Sequence, residues 1–357
     1  MKNVFILGAG ASKTAGGPLM AEFLEKAEDL LRRGVIKDNE IKESFQDVFS
    51  ARTELNAIYT KSYLDIDNIE SLFGAIEMAQ VIGKFGERTM EEIIKLRESI
   101  ITLIVHTLER SISFPVRNGQ VFPTEHHNAF VKMLQETENR EEGEGNEFTI
   151  ITFNYDLTMD VALSLNQMKF DYCLEEGKET NKVKYLKLHG SINWGLCRQC
   201  NKIIPLSISE VNFNTYPGHT KNANYNFSSW LKERKHCEAG YYEHPVLVPP
   251  TWNKTAHNNQ INNVWRKVAK ELSQAENIFI IGYSFPTSDL FFRYLYALGS
   301  VSSMRIRRFW VFNPDPTGEV KNNFTSLIGR GIENKYQFYN ESFETSIQQI
   351  GKALRRY

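Results

Sequence analysis

The sequence predicts an α/β fold, a doubly wound parallel sheet interrupted by two insertions, and three observations predict it. Short apolar runs rich in Ile, Val and Phe recur along the chain without polar alternation, as strands covered on both faces require. Helical stretches fall between most of them, the alternation that puts helices on both sides of a parallel sheet. The first run empties into a glycine-rich turn, Gly8-Ala9-Gly10-Ala11-Ser12 and then Gly16-Gly17-Pro18, which is how a Rossmann-like sheet opens.

Taken in order, residues 4–7 form the first strand. Residues 19–33 read as an amphipathic helix with Leu19, Phe23, Ala27, Leu30 and Leu31 on one side. Helical period continues in Ile69, Leu72, Phe73 and Ile76, then in Ile93, Ile94, Leu96, Ile100, Leu103 and Ile104, with no strand-like run among them. Residues 22–147 are therefore expected to be an inserted helical subdomain, closed by an acidic, glycine-containing solvated loop over 136–147. Strands resume at 148–153 and 183–188. The stretch 196–244 is rich in Asn, Ser and Lys with few apolar runs and reads as a small second insertion. Further strands are expected at 246–248, 278–281 and 309–312, with helices over 258–273 and 288–298. The α/β domain would thus comprise residues 1–21, 148–195 and 245–357.

Bulk properties narrow the class. Over 357 residues, Lys+Arg of 42 against Asp+Glu of 43 leaves no global field to attract nucleic acid or a membrane. No apolar run approaches bilayer length, and the chain enters a strand at once, with no room for a signal peptide. Four cysteines, two of them in Cys197-x-x-Cys200, do not make a disulfide framework. A cytoplasmic location is expected.

Polar residues end the strands. Phe153 gives way to Asn154-Tyr155-Asp156, Leu188 to His189-Gly190-Ser191, Ile281 to Gly282-Tyr283-Ser284, and Phe312 to Asn313-Pro314-Asp315. Ligands of open α/β sheets bind beyond the carboxyl ends of the strands, so four such clusters point to one shared site. Asp156 before Leu157 and Ser288 before Leu290 also suit helix caps, and a lone turn histidine is often satisfied by backbone. The glycine turn lets a backbone approach a phosphate closely. Its spacing is not G-x-G-x-x-G, there is no G-K-S/T, and the acidic residue expected about 20 positions on is missing. An ordinary dehydrogenase and a P-loop enzyme are both disfavoured.

In series these blocks resemble the sirtuin family, and its divergent bacterial branch of NAD-consuming proteins in particular. The resemblance implies that Gly8, Ala9, Gly10, Ala11 and Ser12, with Gly17, line the pyrophosphate and nicotinamide ribose of NAD+. It places Asn154 and Asp156 at the nicotinamide end and makes His189 the catalytic histidine. It puts Gly282 and Ser284 near the phosphates and Asn313 on the adenosine ribose. The residue types suit the chemistry. Nicotinamide leaves as a neutral group from a cation, so a base and a positioned acceptor matter more than an acid. Histidine titrates near neutrality, and an asparagine donates and accepts at once. Two departures weaken deacylation: Pro18 is followed by Leu19-Met20-Ala21 where family deacylases carry Asp-Phe-Arg, and no clear peptide-clamping strand is seen, although 246–250 lies near the right place.

Cys197 and Cys200, eight residues beyond His189, stand where sirtuins place the first half of a zinc ribbon. Only Cys237 follows, with His236 and His244 as candidate fourth ligands, and the gap of 36 residues exceeds the usual span of about 15–20. Three cysteines and a histidine can hold Zn2+; reduced thiols in a loop are the alternative. Trp230 and Trp252 are candidate walls for a base. The resemblance implies an NAD+ glycohydrolase acting as the toxic effector of a bacterial anti-phage system, held in check by self-assembly into a homo-oligomer or by a partner chain such as a HerA-type ATPase. Two alternatives stay open, an NAD-dependent protein deacylase and a non-catalytic sensor of NAD or ADP-ribose.

Overall fold

The computed structural model describes residues 1–56, 64–138, 145–177, 182–211, 213, 221–228, 231, 234–242, 244–248, 259–286, 290–299 and 305–355. The strands, in chain order, are β1 (Lys2–Leu7), β2 (Phe114–Arg117), β3 (Gln120–Val121), β4 (Glu147–Thr152), β5 (Phe170–Asp171), β6 (Val183–Lys187), β7 (Trp194–Leu196), β8 (Ile203–Pro205), β9 (Asn222–Ala223), β10 (Asn277–Ile281), β11 (Arg308–Phe312) and β12 (Tyr336–Tyr339). The helices are α1 (Ala9–Ser12), α2 (Phe23–Arg32), α3 (Asn39–Asn56), α4 (Ile69–Ile82), α5 (Met90–Ser111), α6 (Glu125–Glu138), α7 (Thr158–Leu165), α8 (Asn259–Ser273), α9 (Leu290–Gly299), α10 (Glu319–Thr325) and α11 (Phe343–Arg355).

Seven strands form one parallel sheet in the order β12-β11-β10-β1-β4-β6-β5. Without the two-residue edge strand β5 this is the Rossmann order 3-2-1-4-5-6, with β1 as strand 1 and β10 as strand 4. The doubly wound sheet expected from the apolar runs is therefore present. Every residue of β10 is buried, as are five of six in β1, which is why those segments carry no polar alternation. The edge strand β12, Tyr336-Gln337-Phe338-Tyr339, is only partly buried, and its mixed composition left no apolar run to find. Residues 246–248 do not form the expected strand; Leu247 makes a single bridge to Gly190.

Helices α2 to α5 close a second core around Phe45, Leu72, Phe73, Ile100 and Leu103. Local chemistry fixes their ends. Asn68 caps α4 by accepting from Glu70 N at 2.9 Å, and Thr89 with Glu92 forms a capping box on α5. Arg88 ties α3 to the start of α5, bonding Asp47 at 2.7 Å and Glu54 at 2.8 Å. Two features differ from a purely helical insert. Residues 114–121 form the short hairpin β2–β3. Helix α6 packs on α7 and α11, with Phe130, Val131 and Leu134 in the core of the sheet.

His127 on α6 is 1 % exposed. Thr124 Oγ1 lies 2.7 Å from its Nδ1, and its ring meets the edge of Phe343, centroids 5.1 Å apart. Burial pushes its pKa down to about 4, against the pull of Asp156. The unfolded chain takes up that proton near 6.5. Between the two values the folded state binds fewer protons, so stability is full above about pH 6.5 and falls as pH drops towards about 4, by about 3 kcal/mol for this group. Denaturant titrations across that window should show the loss, and His127→Gln should flatten the slope; an unchanged slope would assign it to other groups.

Candidate functional site

The reversal of strand order falls between β1 and β10, and the chain there is built of glycine. A Cβ on Gly8 would lie 2.5 Å from Tyr283 Cα, and one on Gly10 would lie 2.8 Å from Gly282 Cα. Gly282 itself has φ +63, and a Cβ there would meet Ala11 N at 2.4 Å. Hydrogen bonds close the contact: Gly10 N donates to Gly282 O at 2.9 Å, and Gly8 N to Ile281 O at 3.1 Å. Three amides of the β1 turn are thus engaged within the fold, since Ala11 N also donates to Gly8 O at 3.0 Å.

Above these turns lies a cavity of about 660 Å3 at the carboxyl edge of the sheet, roofed by the helical lobe through Met20, Phe23, Asn68 and Leu108. The structure brings Ala9, Gly10, Ser12, Gly17, Asn154, Asp156, Gly282, Ser284 and Asn313 onto its wall. Gly8 and Ala11 are not on the wall; they form the turn beneath it. Trp230 and Trp252 fall outside the described residues.

Asn154 is the best-fixed polar group on the wall. Its Nδ2 donates to Gly8 O at 2.9 Å and to Ser12 Oγ at 3.1 Å, while its own N–H donates to Thr152 Oγ1 at 3.1 Å. Both amide hydrogens are taken, which leaves Oδ1 as the acceptor with no partner among the described residues. The chain of bonds continues from Ser12 Oγ to Thr158 Oγ1 at 3.0 Å, and from Thr158 Oγ1 to Asp156 Oδ1 at 2.6 Å. Thr158 N also donates to Asp156 Oδ1, at 2.9 Å. Asp156 thus satisfies the first amide of α7 from the residue before its N-cap, Leu157, and also lines the cavity.

His189 stands apart from the wall. It is 1 % exposed, one ring layer below the cavity, edge-on to Phe153 with centroids 5.2 Å apart and 6.0 Å from the ring of Tyr155. Phe153 stacks flat on Tyr283 at 4.3 Å, so this pair separates the imidazole from the cavity. Residues 246–248 strap the histidine turn from outside: Val248 N donates to His189 O at 2.8 Å, and Ser191 N to Val246 O at 3.0 Å. Gly190, at φ +79, is needed because a Cβ would lie 2.1 Å from Val246 O.

Behind Asp156 is a buried charge that sequence reading missed. Lys187 is 0 % exposed; its Nζ donates to Asp156 O at 2.6 Å and pairs with Asp160 Oδ2 at 3.1 Å. Tyr172 and Tyr185 donate to the same carboxylate at 2.5 and 3.0 Å. Burial first, then the Asp160 charge, pushes both phenols well above their usual range, so they remain donors. The alternation of Tyr185 and Lys187 in an apolar strand was the one available signal. Lys187→Met leaves Asp160 without its cation and should cost about 3–5 kcal/mol. Adding Asp160→Leu should restore most of that, measured by denaturant unfolding; equal instability of single and double variants would show that the pair is not the cause.

The cysteine cluster assembles. Ligand atoms of Cys197, Cys200, His236 and Cys237 all lie within 4.8 Å of one another, with His236 Nδ1 3.5 Å from Cys200 Sγ and 3.4 Å from Cys237 Sγ. His236 is thus the fourth donor, while His244 lies in a separate cavity. The β7–β8 hairpin supplies one half: Cys197 N donates to Lys202 O and Asn201 N to Cys197 O, both at 3.0 Å. Three thiols and an imidazole suit tetrahedral zinc. Cys173, buried in the core of the sheet, takes no part; burial pushes its thiol up to about 12.

No family model and no curated protein matches the sequence. Among solved structures, the chain is similar to a Sir2 homologue in complex with NAD, at 14% identity and TM-score 0.46, covering 99% of this chain and 90% of that one. It is similar to a Sir2 homologue with ADP-ribose at 13% identity and TM-score 0.42, covering 99% and 92%. A Sir2 bound to an acetylated peptide gives 14% identity and TM-score 0.40, covering 98% and 92%. Among the described residues no helix is long and apolar enough to cross a membrane.

Proposed function

We infer that the chain is an NAD+ glycohydrolase, converting NAD+ and water to nicotinamide, ADP-ribose and a proton. The observation that carries this reading is Asn154: its amide hydrogens are locked by the β1 turn, and its Oδ1 remains as an acceptor on the wall of a cavity at the sheet's switch point. An acceptor fixed in that way holds a water or a ribose hydroxyl in one orientation. Asp156 adds negative charge beside a ribose that becomes oxocarbenium-like as nicotinamide leaves. The glycine turns would carry the pyrophosphate, Gly282 and Ser284 its far side, and Asn313 the adenosine ribose. The cavity volume is within the usual range for ligand sites, about 300–1,000 Å3.

In this reading His189 is the base for the attacking water. It reaches the ribose when the Phe153–Tyr283 pair turns aside, which makes Phe153 the gate between imidazole and substrate. The cysteine cluster holds a structural Zn2+ that pins the β7–β8 hairpin to residues 235–241. On this reading the enzyme works in the cytoplasm as an NAD-depleting effector of bacterial phage defence, as the resemblance of its sequence blocks implies. Unrestrained hydrolysis would kill the host, so the reading includes control by a homo-oligomer or by a partner ATPase of the HerA type.

Nicotinamide release by the purified chain, alone and with lysate of phage-infected cells, tests the assignment. Asn154→Ala and His189→Ala should each lower turnover by about 10^2–10^4-fold while NAD+ still binds. Bound NAD+ without release under any condition would mark a sensor, and release only with an acylated peptide would mark a deacylase. Metal analysis should find one zinc per chain, lost in Cys237→Ser, and a chelator should lower the melting temperature; a metal-free protein of unchanged stability would reject the zinc.

A further inference from the structure

A second cavity lies on the opposite side of α5. It has a volume of about 430 Å3 and is bounded by α3, α5 and the residues Asn226, Ser228, His244 and Pro245. Helix α5 presents Ser99, Thr102, His106 and Arg110 to it, a polar stripe at helical spacing on a helix whose other faces are packed in core. Asn226, Ser228 and His244 complete a floor that is polar and cationic. Asp38, Glu40 and Glu98 stand at the exposed rim.

Arg110 is the group without an explanation. Its Nη1 is buried and makes no hydrogen bond among the described residues. The nearest carboxylate oxygen, Glu109 Oε2, is 3.8 Å away, an ion pair too long for a hydrogen bond; it accepts from Ser228 Oγ at 3.0 Å and lies 3.1 Å from His106 Nδ1. The other oxygen of Glu109 accepts from Phe227 N at 2.6 Å and Ser228 N at 2.8 Å. Burial disfavours the Glu109 charge, but these bonds outweigh it and hold its carboxyl below the usual range. Glu109 thus gives Arg110 a long ion pair and its Nη1 no hydrogen bond. A buried guanidinium nitrogen with no acceptor is a costly feature unless a ligand supplies one.

We propose that this cavity is a second ligand site, for a small phosphorylated sugar no larger than a nucleoside monophosphate, and that its occupancy regulates the cavity at the switch point. Arg110 takes the phosphate, as its planar fork is suited to do. Ser99, Thr102, Asn226 and Ser228 match hydroxyls, and Lys95 at the rim offsets part of the negative charge of Asp38, Glu40 and Glu98. Two continuous connections reach the first cavity. His244 and Pro245 line the second cavity, and the next three residues are the strap that holds the His189 turn. At the other end, Ser113 N donates to Ala15 O at 3.0 Å, and Gly16 packs so closely on Ser111 O that a Cβ would lie 2.3 Å away. The end of α5 thus bears on the loop that supplies Lys13, Thr14 and Gly17 to the first cavity.

The regulatory half rests on the glycohydrolase reading; the binding half does not, so it is measured without NAD+. Calorimetric titration of ribose 5-phosphate, and of AMP in parallel, into the full chain is expected to show binding that unphosphorylated ribose lacks. Arg110→Gln and Thr102→Leu should each weaken it at least about tenfold, while Asn154→Ala leaves it unchanged. Hydrogen exchange at residues 244–248 should slow on binding in the wild type and not in Arg110→Gln. Binding of neither probe, or binding that survives both cavity substitutions, overturns the site. Binding here with unaltered exchange at 244–248 overturns the regulation, whatever the outcome with NAD+.

Discussion

The face-to-face packing of two glycine turns, residues 8–10 against Gly282, is the constraint from which the site follows. Neither turn has room for a Cβ, and the β1 turn donates two backbone hydrogen bonds to the other, from Gly8 N to Ile281 O and from Gly10 N to Gly282 O. Their contact brings the ends of β1 and β10 together at the point where the strand order reverses. The helices that follow diverge to opposite faces of the sheet there, and a crevice must open between them. The glycines are therefore required first by packing. Three of the amides in the β1 turn are engaged within the fold, so a ligand meets that turn through close backbone approach more than through a ring of free N–H groups.

The sequence made the sheet legible because its central strands are buried on both faces and read as unbroken apolar runs. It hid what lies at the margins. β12 is an edge strand with a half-exposed aromatic and polar make-up, and β5 has only two residues, too few for any period to register. Residues 246–248 have a strand's composition, yet their backbone groups are directed at the His189 turn and not at a sheet. Of the four polar strand ends expected to share one site, three line one cavity, through Asn154 and Asp156, Gly282 and Ser284, and Asn313, while the His189 turn does not. Distance below that wall is a tertiary quantity, so nothing in the sequence could show that Phe153 and Tyr283 stand between His189 and the cavity. The choice of His236 over His244 was equally invisible, since both follow the same long gap.

Buried polar groups explain why the wall is rigid. Asn154, Ser12, Thr158 and Asp156 form one hydrogen-bonded chain across the ends of β1 and β4. Lys187 holds that chain from behind through the carbonyl of Asp156. A buried lysine tolerates this position only because Asp160 neutralises it, and Asp160 only because two phenols complete its coordination. Such an arrangement costs stability relative to an apolar core, and in return it gives the Asn154-Tyr155-Asp156 turn a single geometry. A site that must hold a water or a hydroxyl within a few tenths of an ångström has reason to be built in this way.

The helical lobe supplies what the sheet alone lacks, a roof over the first cavity and one helix shared with the second. α5 presents Leu108 to the first cavity and, on its opposite side, a polar stripe to the second, so one rigid helix bears on both. Its last turn abuts the glycine loop at Gly16, and through Glu109 it anchors residues 227–228, from which the chain returns to strap His189. A displacement of that helix end would move the loop under the first cavity and the strap behind the histidine together. Coupling of this kind needs no long pathway through the core. It requires only that the two segments share one support whose position a ligand can bias, and the short, hydrogen-bonded links at Ala15–Ser113 and at 246–248 with 189–191 meet that requirement.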